Sequence, residues 1–240
     1  MVKGEEVNIQ KNYTLGTIGD AIKALKTMIS GVKTIAIERK ELYVFTEEVD
    51  NVYLNETELK QLKDFDFTAV PHLDRVRDWF LLLAWTGSRI SDKNQIVNIK
   101  NGFIKYDQQK TGVSVSIPVH KVVTEILNKY NGKLPEQISD QKFNDYIKDA
   151  CQLAGINGLE SITRIRGGKR ITQKLPKSDL VSSHTCRRSF CTNMYLRGMD
   201  TLMIRSISGH TTEKSFFKYI KVSQQEHAEM MAKKWSEIYK

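Results

Sequence analysis

The 240-residue sequence lacks several features that define common protein classes. It has no run of 18 apolar residues, so we predict no membrane span. Residues 1–6 form no apolar signal segment, so we predict no secretion. The three cysteines, at positions 151, 186 and 191, form no CxxC pair and no Cys/His ligand spacing, which disfavours a zinc site. We therefore expect reduced thiols in a cytoplasmic protein.

The sequence also shows no cluster of carboxylates of the kind that holds two catalytic metal ions. Basic residues are in excess instead: 37 Lys and Arg against 28 Asp and Glu give a net charge of +9, which favours an anionic partner. Charge alone fits a soluble protein that happens to be basic equally well. The length and the 40% of hydrophobic residues allow one large domain, or a medium domain plus a fragment.

Two regions of the sequence differ in pattern. Residues 1–50 contain one amphipathic helix, with apolar residues at three- and four-residue steps from Leu15 to Ile29. A single helix cannot bury this face alone, so it either packs on the rest of the chain or ends a larger helical domain. The acidic stretch over 46–51 indicates a linker. We predict a helical remnant plus linker over 1–50 and a second domain over 51–240.

The second region is predicted to be mainly helical with a small sheet, an α+β fold. Asn101-Gly102 predicts a type I′ hairpin between strands over 96–99 and 103–106, and a third strand alternates over 113–117. Gly167-Gly168 predicts a second, basic hairpin. Helices are predicted over 55–62, 72–84, 122–130, 139–155, 184–197 with Ser183 as N-cap, 200–209, from Thr212 through Tyr219, and finally with Ala228, Met231, Trp235 and Ile238 on one side.

Six polar residues stand out by their order and spacing, because they suit metal-free attack on a phosphodiester. Each alone is unremarkable: a Tyr beside two Phe residues is usually core packing, and a lone Arg or Lys is usually a surface charge. The candidate catalytic residues are Arg89 in Thr86-Gly87-Ser88-Arg89, Lys110 at the predicted turn between two strands, His184 and Arg187 on one helix, His210 after Gly209, and Tyr219.

The chemistry of each residue type suggests its role. Arg89 and Arg187 can hold non-bridging phosphate oxygens, because a guanidinium binds two oxygens at once and stays charged. A tyrosine hydroxyl has a pKa near 10, so Tyr219 needs a base, for which His184 is the candidate. Lys110 can donate a proton to the leaving oxygen. His210 can contact a phosphate oxygen or steady Tyr219, and Asp92 is expected to orient a neighbour.

These motifs resemble the tyrosine recombinase (phage integrase) family over roughly Val52 to Lys240. The Thr-Gly-x-Arg segment, the hairpin lysine, His-x-x-Arg, Gly-His and the tyrosine all match family motifs at the positions above. The run Val52-Tyr53-Leu54, the Gly-Gly hairpin and Ser182-Ser183-His184 resemble integrases of bacterial conjugative transposons and related mobile elements. The family carries a complete helical domain before the catalytic one, so the resemblance implies a shortened chain here.

The resemblance implies a catalytic-domain fold and a mechanism. Tyr219 would attack a DNA phosphate to give a covalent 3′-phosphotyrosine and a free 5′-hydroxyl, with no cofactor and no metal. The resemblance implies binding to double-stranded DNA and assembly as a tetramer on paired sites, with a monomer as the alternative in the absence of DNA. It implies no membrane partner, and it is compatible with accessory DNA-bending proteins. The last helix would dock on a neighbour, or fold back on its own core. The implied role is integration and excision of a mobile element.

Three alternative functions are weighed against recombination. Type IB topoisomerases share the fold and chemistry, but the extra strand pair favours recombination. A DNA-binding module without chemistry would not need a placed tyrosine, and a metal-dependent nuclease would need clustered carboxylates. For DNA binding itself, the predicted phosphate contacts are Arg164, Arg166, Lys169 and Arg170, with Lys174 and Lys177 as further candidates.

Overall fold

The computed structural model describes residues 51–166 and 169–239 together with residues 21, 22 and 24; at 164–166, 169 and 170 only the backbone is described. Two compact units are distinguished. Of the described residues, 161–166 and 169–174 fall in the first unit with 21, 22 and 24, and 51–160 and 175–239 form the second. Ala21, Ile22 and Ala24 are helical. The rest of the helix predicted over 15–29 and the predicted linker lie outside the described residues, apart from residue 51.

The chain from residue 51 onwards is mainly helical with a small antiparallel sheet, as predicted. Its helices are α1 Glu56–Asp64, α2 Pro71–Thr86, α3 Lys121–Lys129, α4 Asp140–Leu153, α5 Lys177–Leu180, α6 Ser183–Leu196, α7 Thr201–Ser208, α8 Glu213–Phe217 and α9 Gln224–Ile238, with a 3₁₀ helix over Ile90–Val97. Its strands are β1 Ile99–Lys100, β2 Phe103–Asp107, β3 Ser114–Pro118, β4 Leu159–Arg166 and β5 Lys169–Pro176. None of the helices described is long and apolar enough to cross a membrane.

Helix α2 forms the centre of the second unit. Pro71 opens the helix, at a position where its missing N–H costs nothing, and Gly87 ends it in the left-handed conformation. The run from Trp79 to Ala84 is buried on every side, as expected for a helix that is apolar all round. It packs against α3, α4 and α6. Arg89 therefore leaves the end of a fixed central helix.

The three strands β1, β2 and β3 form one antiparallel sheet in that order. Asn101 and Gly102 both have positive φ, of 52° and 79°, as the predicted type I′ turn requires. Ile104 and Tyr106 face the core on β2. The prediction of a strand from residue 96 was wrong, because Ile96 ends up buried on the 3₁₀ helix and pairing begins only at Ile99. Strands β4 and β5 form the second, two-stranded sheet.

Most predicted helix starts are confirmed by their capping bonds. Ser139 and Asp200 each accept a hydrogen bond from a backbone N–H of the first turn, and so does Thr212. Helix α6 begins one residue earlier than predicted, because Ser182 and not Ser183 is the N-cap, in a capping box with Thr185. The prediction that the helix after Thr212 includes Tyr219 was also wrong, since α8 ends at Phe217.

A small second cluster of apolar side chains positions the segment that carries Tyr219. Phe216 is fully buried together with Phe190 and Ile204, and Tyr219 packs at the edge of the cluster. Phe217 is 45% exposed, so only one of the two phenylalanines serves as core. The apolar anchor beside Tyr219 fixes the backbone while leaving the tyrosine half-buried.

Candidate active site

The turn after α2 brings Arg187 to the backbone of the Arg89 segment. Gly87 has a φ of 66°, and a Cβ at this position would overlap the Phe190 ring. Its carbonyl oxygen accepts a hydrogen bond of 2.8 Å from Arg187 Nη1. Glycine is needed here for both the left-handed backbone and the close approach of α6. The end of α2 and the middle of α6 are thereby held together.

Arg187 is a buried cation, with a side chain that reaches from α6 into the site. It is 2% exposed, and its Nε has no hydrogen-bond partner among the described residues. Burial lowers the pKa of Arg187, and the nearby charge of Arg89 lowers it further. Two guanidiniums close enough to repel each other form a concentrated positive site, which suits an anion with two accessible oxygens.

Arg89 is oriented by the loop that follows β2. Its Nη1 donates a hydrogen bond to Gln108 Oε1 and lies 4.0 Å from Asp92 Oδ2. Asp92 is fully buried, and its Oδ1 accepts from the backbone N–H of Gln109 at 3.0 Å. The expectation that Asp92 orients a neighbour is confirmed. Its carboxylate fixes the backbone immediately before Lys110 and faces Arg89.

His210 lies against Arg187 at the end of α7. The Nη2 atom of Arg187 is 3.3 Å from Nδ1 and 3.2 Å from Nε2 of the ring. The Ser208 hydroxyl lies 2.8 Å from Nδ1. Burial lowers the pKa of His210 to about 3, and the charges of Arg187, Arg89 and Arg205 contribute in that order. His210 is therefore neutral at pH 7 in the free protein.

Tyr219 completes this group. Its ring centroid is 4.8 Å from that of His210, and the guanidinium carbons of Arg187 and Arg188 are 5.6 and 5.9 Å from its ring. Its carbonyl accepts a hydrogen bond of 2.9 Å from Thr192 Oγ1 on α6. Two guanidinium groups thus lie within cation–π distance of the Tyr219 ring.

Lys110 and His184 form the more open side of the site. Lys110 is exposed on the turn between β2 and β3, as predicted. His184 is exposed in the first turn of α6. Desolvation lowers the pKa of His184, followed by the charges of Arg188, Lys110 and Arg187. Lys110 is thus close enough to His184 to lower the pKa of its imidazole. The imidazole in ring contact with Tyr219 is that of His210.

Sequence reasoning missed Gln108, which links three parts of the site. It is 2% exposed, and its Oε1 accepts from Arg89 and from Thr111 Oγ1. Its Nε2 donates to the carbonyl of Ser208 at 2.8 Å. Residues of β2 alternate between exposed and buried, and Gln108 continues the buried phase beyond the end of the strand. A polar residue at an inward position was the available signal.

The predicted DNA contacts have different outcomes. The backbones of Arg164, Arg166, Lys169 and Arg170 lie on β4 and β5, beside the predicted turn, and their side chains lie outside the described structure. Lys174 is exposed. Lys177 is unsuitable as a phosphate contact, because it is buried and its Nζ donates to both oxygens of Glu58 at 2.8 and 2.7 Å. In the described residues no three His, Cys, Asp or Glu side chains are grouped so that they could hold a metal ion.

The family assignment follows from comparison with known proteins. The model of the family described as "Phage integrase family" matches residues 52–226. The chain belongs to the phage integrase family, whose members are tyrosine recombinases, enzymes that break and rejoin DNA. No curated protein matches the chain.

Solved structures of tyrosine recombinases share its fold. The XerH recombinase in a post-cleavage complex with a palindromic difH substrate has a TM-score of 0.61 at 16% identity, covering 93% of this chain and 66% of that one. A λ integrase tetramer bound to a Holliday junction has a TM-score of 0.60 at 17% identity, covering 86% and 58%. The Tn1549 transposon integrase with transposon right-end DNA has a TM-score of 0.54 at 13% identity, covering 93% and 80%. This chain thus spans less than two thirds of the XerH and λ integrase chains.

Proposed function

We propose that this protein is a site-specific DNA recombinase that cleaves and rejoins DNA through a covalent bond between Tyr219 and a 3′-phosphate. The observation that carries the proposal is the ring of Tyr219 in contact with both His210 and the guanidinium of Arg187. Arg89 is near enough to lower the pKa of Arg187. Such a cluster of buried cations around a phenol has no evident use in packing, since burying like charges together costs free energy.

The reaction forms the bond between Tyr219 Oη and phosphorus and breaks the bond between phosphorus and the 5′ oxygen. Arg89 and Arg187 bind the non-bridging oxygens and stabilise the charge that develops on them. The phenol proton passes to a histidine, for which His184 is our predicted base. The ammonium of Lys110 supplies a proton to the leaving 5′ oxygen, and its exposed turn gives it access to bound DNA. The reverse step joins a 5′-hydroxyl to the phosphotyrosine, so bond energy is retained.

The proposed biological role is integration and excision of a mobile element. The sequence resemblance to integrases of conjugative transposons supports this role, and so does the shared fold of the Tn1549 transposon integrase. The substrate is double-stranded DNA with a specific site. The proposal places the protein in the cytoplasm with the cell's DNA, which agrees with its three free, buried cysteines.

A covalent-trapping experiment tests the chemistry. Bound sites are first selected from a randomised duplex library, and duplexes carrying the selected site are then nicked at successive positions near its centre. Cleavage next to a nick releases a short fragment, so the covalent complex accumulates. We expect a protein–DNA band that survives denaturation, persists in EDTA and vanishes in Tyr219→Phe.

The matched control is Tyr239→Phe, which removes a phenol that is 82% exposed near the chain end. This variant should retain the band. A band that persists in Tyr219→Phe would show that the nucleophile has been misassigned. A band that requires a divalent metal would contradict the metal-independent mechanism.

We further propose that the active assembly on paired sites is a tetramer in which α9 docks on a neighbouring copy. Met231, Trp235 and Ile238 are 51, 57 and 71% exposed. Another face of α9 contacts the same chain, through Glu226 on Tyr53 and His227 on Tyr195, so the apolar side chains are left open for a partner. An apolar cavity of about 210 Å³ between β3, α6 and α7 can receive such side chains. Its walls include Trp85, Ile117, Phe190, Met194, Met203 and Ile204.

Sedimentation of the protein on a four-way DNA junction tests this assembly. Trp235→Glu should abolish the tetramer while leaving binding to a single duplex unchanged, because a charge cannot enter an apolar cavity without a partner. Glu237→Gln, on the opposite side of α9, serves as control and should leave the tetramer intact. A tetramer that tolerates Trp235→Glu would rule out α9 as the docking element.

A further inference from the structure

The hydroxyl of Ser208 lies within hydrogen-bonding distance of two buried polar groups, the carbonyl of Ile204 and the imidazole of His210. Its Oγ is 2.6 Å from the carbonyl oxygen of Ile204, one turn earlier in α7, and 2.8 Å from Nδ1 of His210. Ser208 and Ile204 are buried, and His210 is 9% exposed. In such an enclosed place the direction of each hydrogen bond is determined by which atoms carry protons.

A serine hydroxyl has a single proton to donate. A carbonyl oxygen can only accept, so the short contact with Ile204 requires that Ser208 donates to it. The carbonyl of Arg205, at 3.4 Å, is a weaker second acceptor for the same proton. The Cys191 thiol also interacts with the Ser208 hydroxyl, but a sulfur atom is only a weak acceptor and competes poorly with the Ile204 carbonyl for the proton. Towards His210, the serine oxygen is therefore left as an acceptor.

Burial, together with the surrounding charges, keeps the His210 ring neutral, so that it has one N–H. Burial together with Arg187, Arg89 and Arg205 lowers the pKa of His210 to about 3. In a neutral imidazole one nitrogen donates and the other accepts. If Nδ1 donates to Ser208, Nε2 is unprotonated and is the accepting nitrogen of the ring. Arg187 Nη2 lies 3.2 Å from Nε2 and 3.3 Å from Nδ1, so its contact with the ring does not distinguish the two nitrogens.

We propose that Ser208 is a positioning residue that holds His210 in the tautomer with the proton on Nδ1, so that Nε2 faces the site as a hydrogen-bond acceptor. The consequence for catalysis rests on the proposed function. The His210 ring packs against that of Tyr219, and its unprotonated Nε2 can take part in the site as a hydrogen-bond acceptor. It can donate to a phosphate oxygen only after it gains a second proton. Ser208 thus selects between the two roles that the sequence leaves open for His210.

The segment around Ser208 is held in place from a second direction. Gln108 Nε2 donates to the Ser208 carbonyl at 2.8 Å, and the backbone N–H of His210 donates to the Arg205 carbonyl at 3.1 Å. These bonds fix the backbone on both sides of Gly209. The hydroxyl and the imidazole are therefore presented to each other by a rigid turn.

Nuclear magnetic resonance tests the tautomer directly, without DNA. The full chain is labelled uniformly with ¹⁵N, and long-range ¹H–¹⁵N correlations are recorded at pH 7. The chain has five histidines, and the His210 ring is assigned by its loss in His210→Gln. We expect a pyrrole-type Nδ1 and a pyridine-type Nε2 for His210. In Ser208→Ala the pattern should shift towards protonated Nε2, because Nδ1–H loses its acceptor.

The matched control is Ser215→Ala, which removes a hydroxyl that donates at 2.7 Å to the carbonyl of Thr212. It should leave the His210 signals unchanged. A pyridine-type Nδ1 in the unmodified protein overturns the proposal even if Ser208→Ala does not fold, and an unchanged tautomer in folded Ser208→Ala overturns the role of Ser208. Because the measurement uses no DNA, failure to cleave DNA would count only against the proposed function.

Discussion

The side-chain amide of Gln108 lies directly against Gly209, in the space that any larger residue at position 209 would fill. Gly209 has a φ of 66° and ends α7, one residue before His210. From this position Gln108 bonds the Ser208 carbonyl and accepts from Arg89. A close approach of side chain to backbone therefore connects the first arginine to the Gly-His segment.

Gly209→Ala should lower both stability and DNA cleavage. The left-handed backbone costs an alanine about 1 kcal/mol, and displacement of Gln108 adds to this and releases Arg89. Gly102→Ala is the control for backbone strain alone, because Gly102 has a φ of 79° and open space around its Cβ position. Urea unfolding should show a larger loss for Gly209→Ala than for Gly102→Ala. The double variant Gly209→Ala/Gln108→Ala should recover part of the extra stability lost in Gly209→Ala, because the overlap with the Gln108 side chain is removed. Equal losses in Gly209→Ala and Gly102→Ala would disprove the steric argument.

The depressed pKa of His210 predicts a stability that depends on pH. The folded-state pKa is about 3, below the ordinary value of 6.5, so the unfolded chain binds more protons below pH 6.5. Stability should be fully present above that pH and fall as the pH drops, by up to about 1.4 kcal/mol per unit between about pH 6 and 4. The pKa values of His184 and His120 are lowered too and contribute with the same sign. Urea titrations of His210→Gln should show a shallower dependence; identical slopes would mean that His210 titrates normally.

The basic hairpin predicts the salt response of DNA binding. If a site engages roughly 6–10 phosphates, affinity should fall about 10³–10⁵-fold between 50 and 200 mM salt. Replacing Arg164, Arg166, Lys169 and Arg170 by Gln should reduce the slope of log affinity against log salt by about 0.9 for each lost contact. Fluorescence anisotropy on a labelled duplex measures both slopes. A slope that is unchanged in the quadruple variant would remove the hairpin from the DNA-binding surface.

Unlike the residues of the basic hairpin, Lys177 should contribute to the stability of the fold and not to DNA binding. Its ammonium is paired with Glu58, which also caps α1 through the backbone N–H of Asn55. Lys177→Ala leaves a mostly buried carboxylate unpaired and should cost roughly 3 kcal/mol of stability, without changing the salt slope of DNA binding. Lys174→Ala, at an exposed position on β5, is the control and should be nearly neutral for stability. A large effect of Lys177→Ala on the salt slope would restore Lys177 as a phosphate contact.

Local rules in the sequence were enough to predict the type and position of most helices and strands of the second unit. The capping residues Ser139 and Asp200 and the Asn101-Gly102 turn each determine a boundary through one hydrogen bond or one backbone angle. The strand predicted from Ile96 failed because apolar alternation over a few residues does not distinguish a strand from a 3₁₀ turn that buries the same side chain. Tertiary packing decided that segment.

The spacing of the motifs predicted which residues converge, but not how they are held. Arg187, His210 and Tyr219 come together from α6 and the segments after α7 and α8, as their types suggested. The role of Gln108 depends on its side chain meeting the Ser208 carbonyl, 100 residues away in the sequence, and no local pattern encodes that pairing. The contact of Ser208 with His210 is local, but its direction depends on the buried turn that encloses both side chains. Side chains such as those of Arg164 and Arg166 lie outside the described structure, so their DNA contacts remain predictions.

The bond from Thr192 to the carbonyl of Tyr219 ties the nucleophile to the same helix that carries His184 and Arg187. The segment that carries Tyr219 is thus fixed against the same chain's α6, and under the proposed function each subunit cleaves the strand it holds with its own residues. Two inactive proteins, one lacking the phenol and one lacking the guanidinium of Arg187, should be unable to repair each other when mixed.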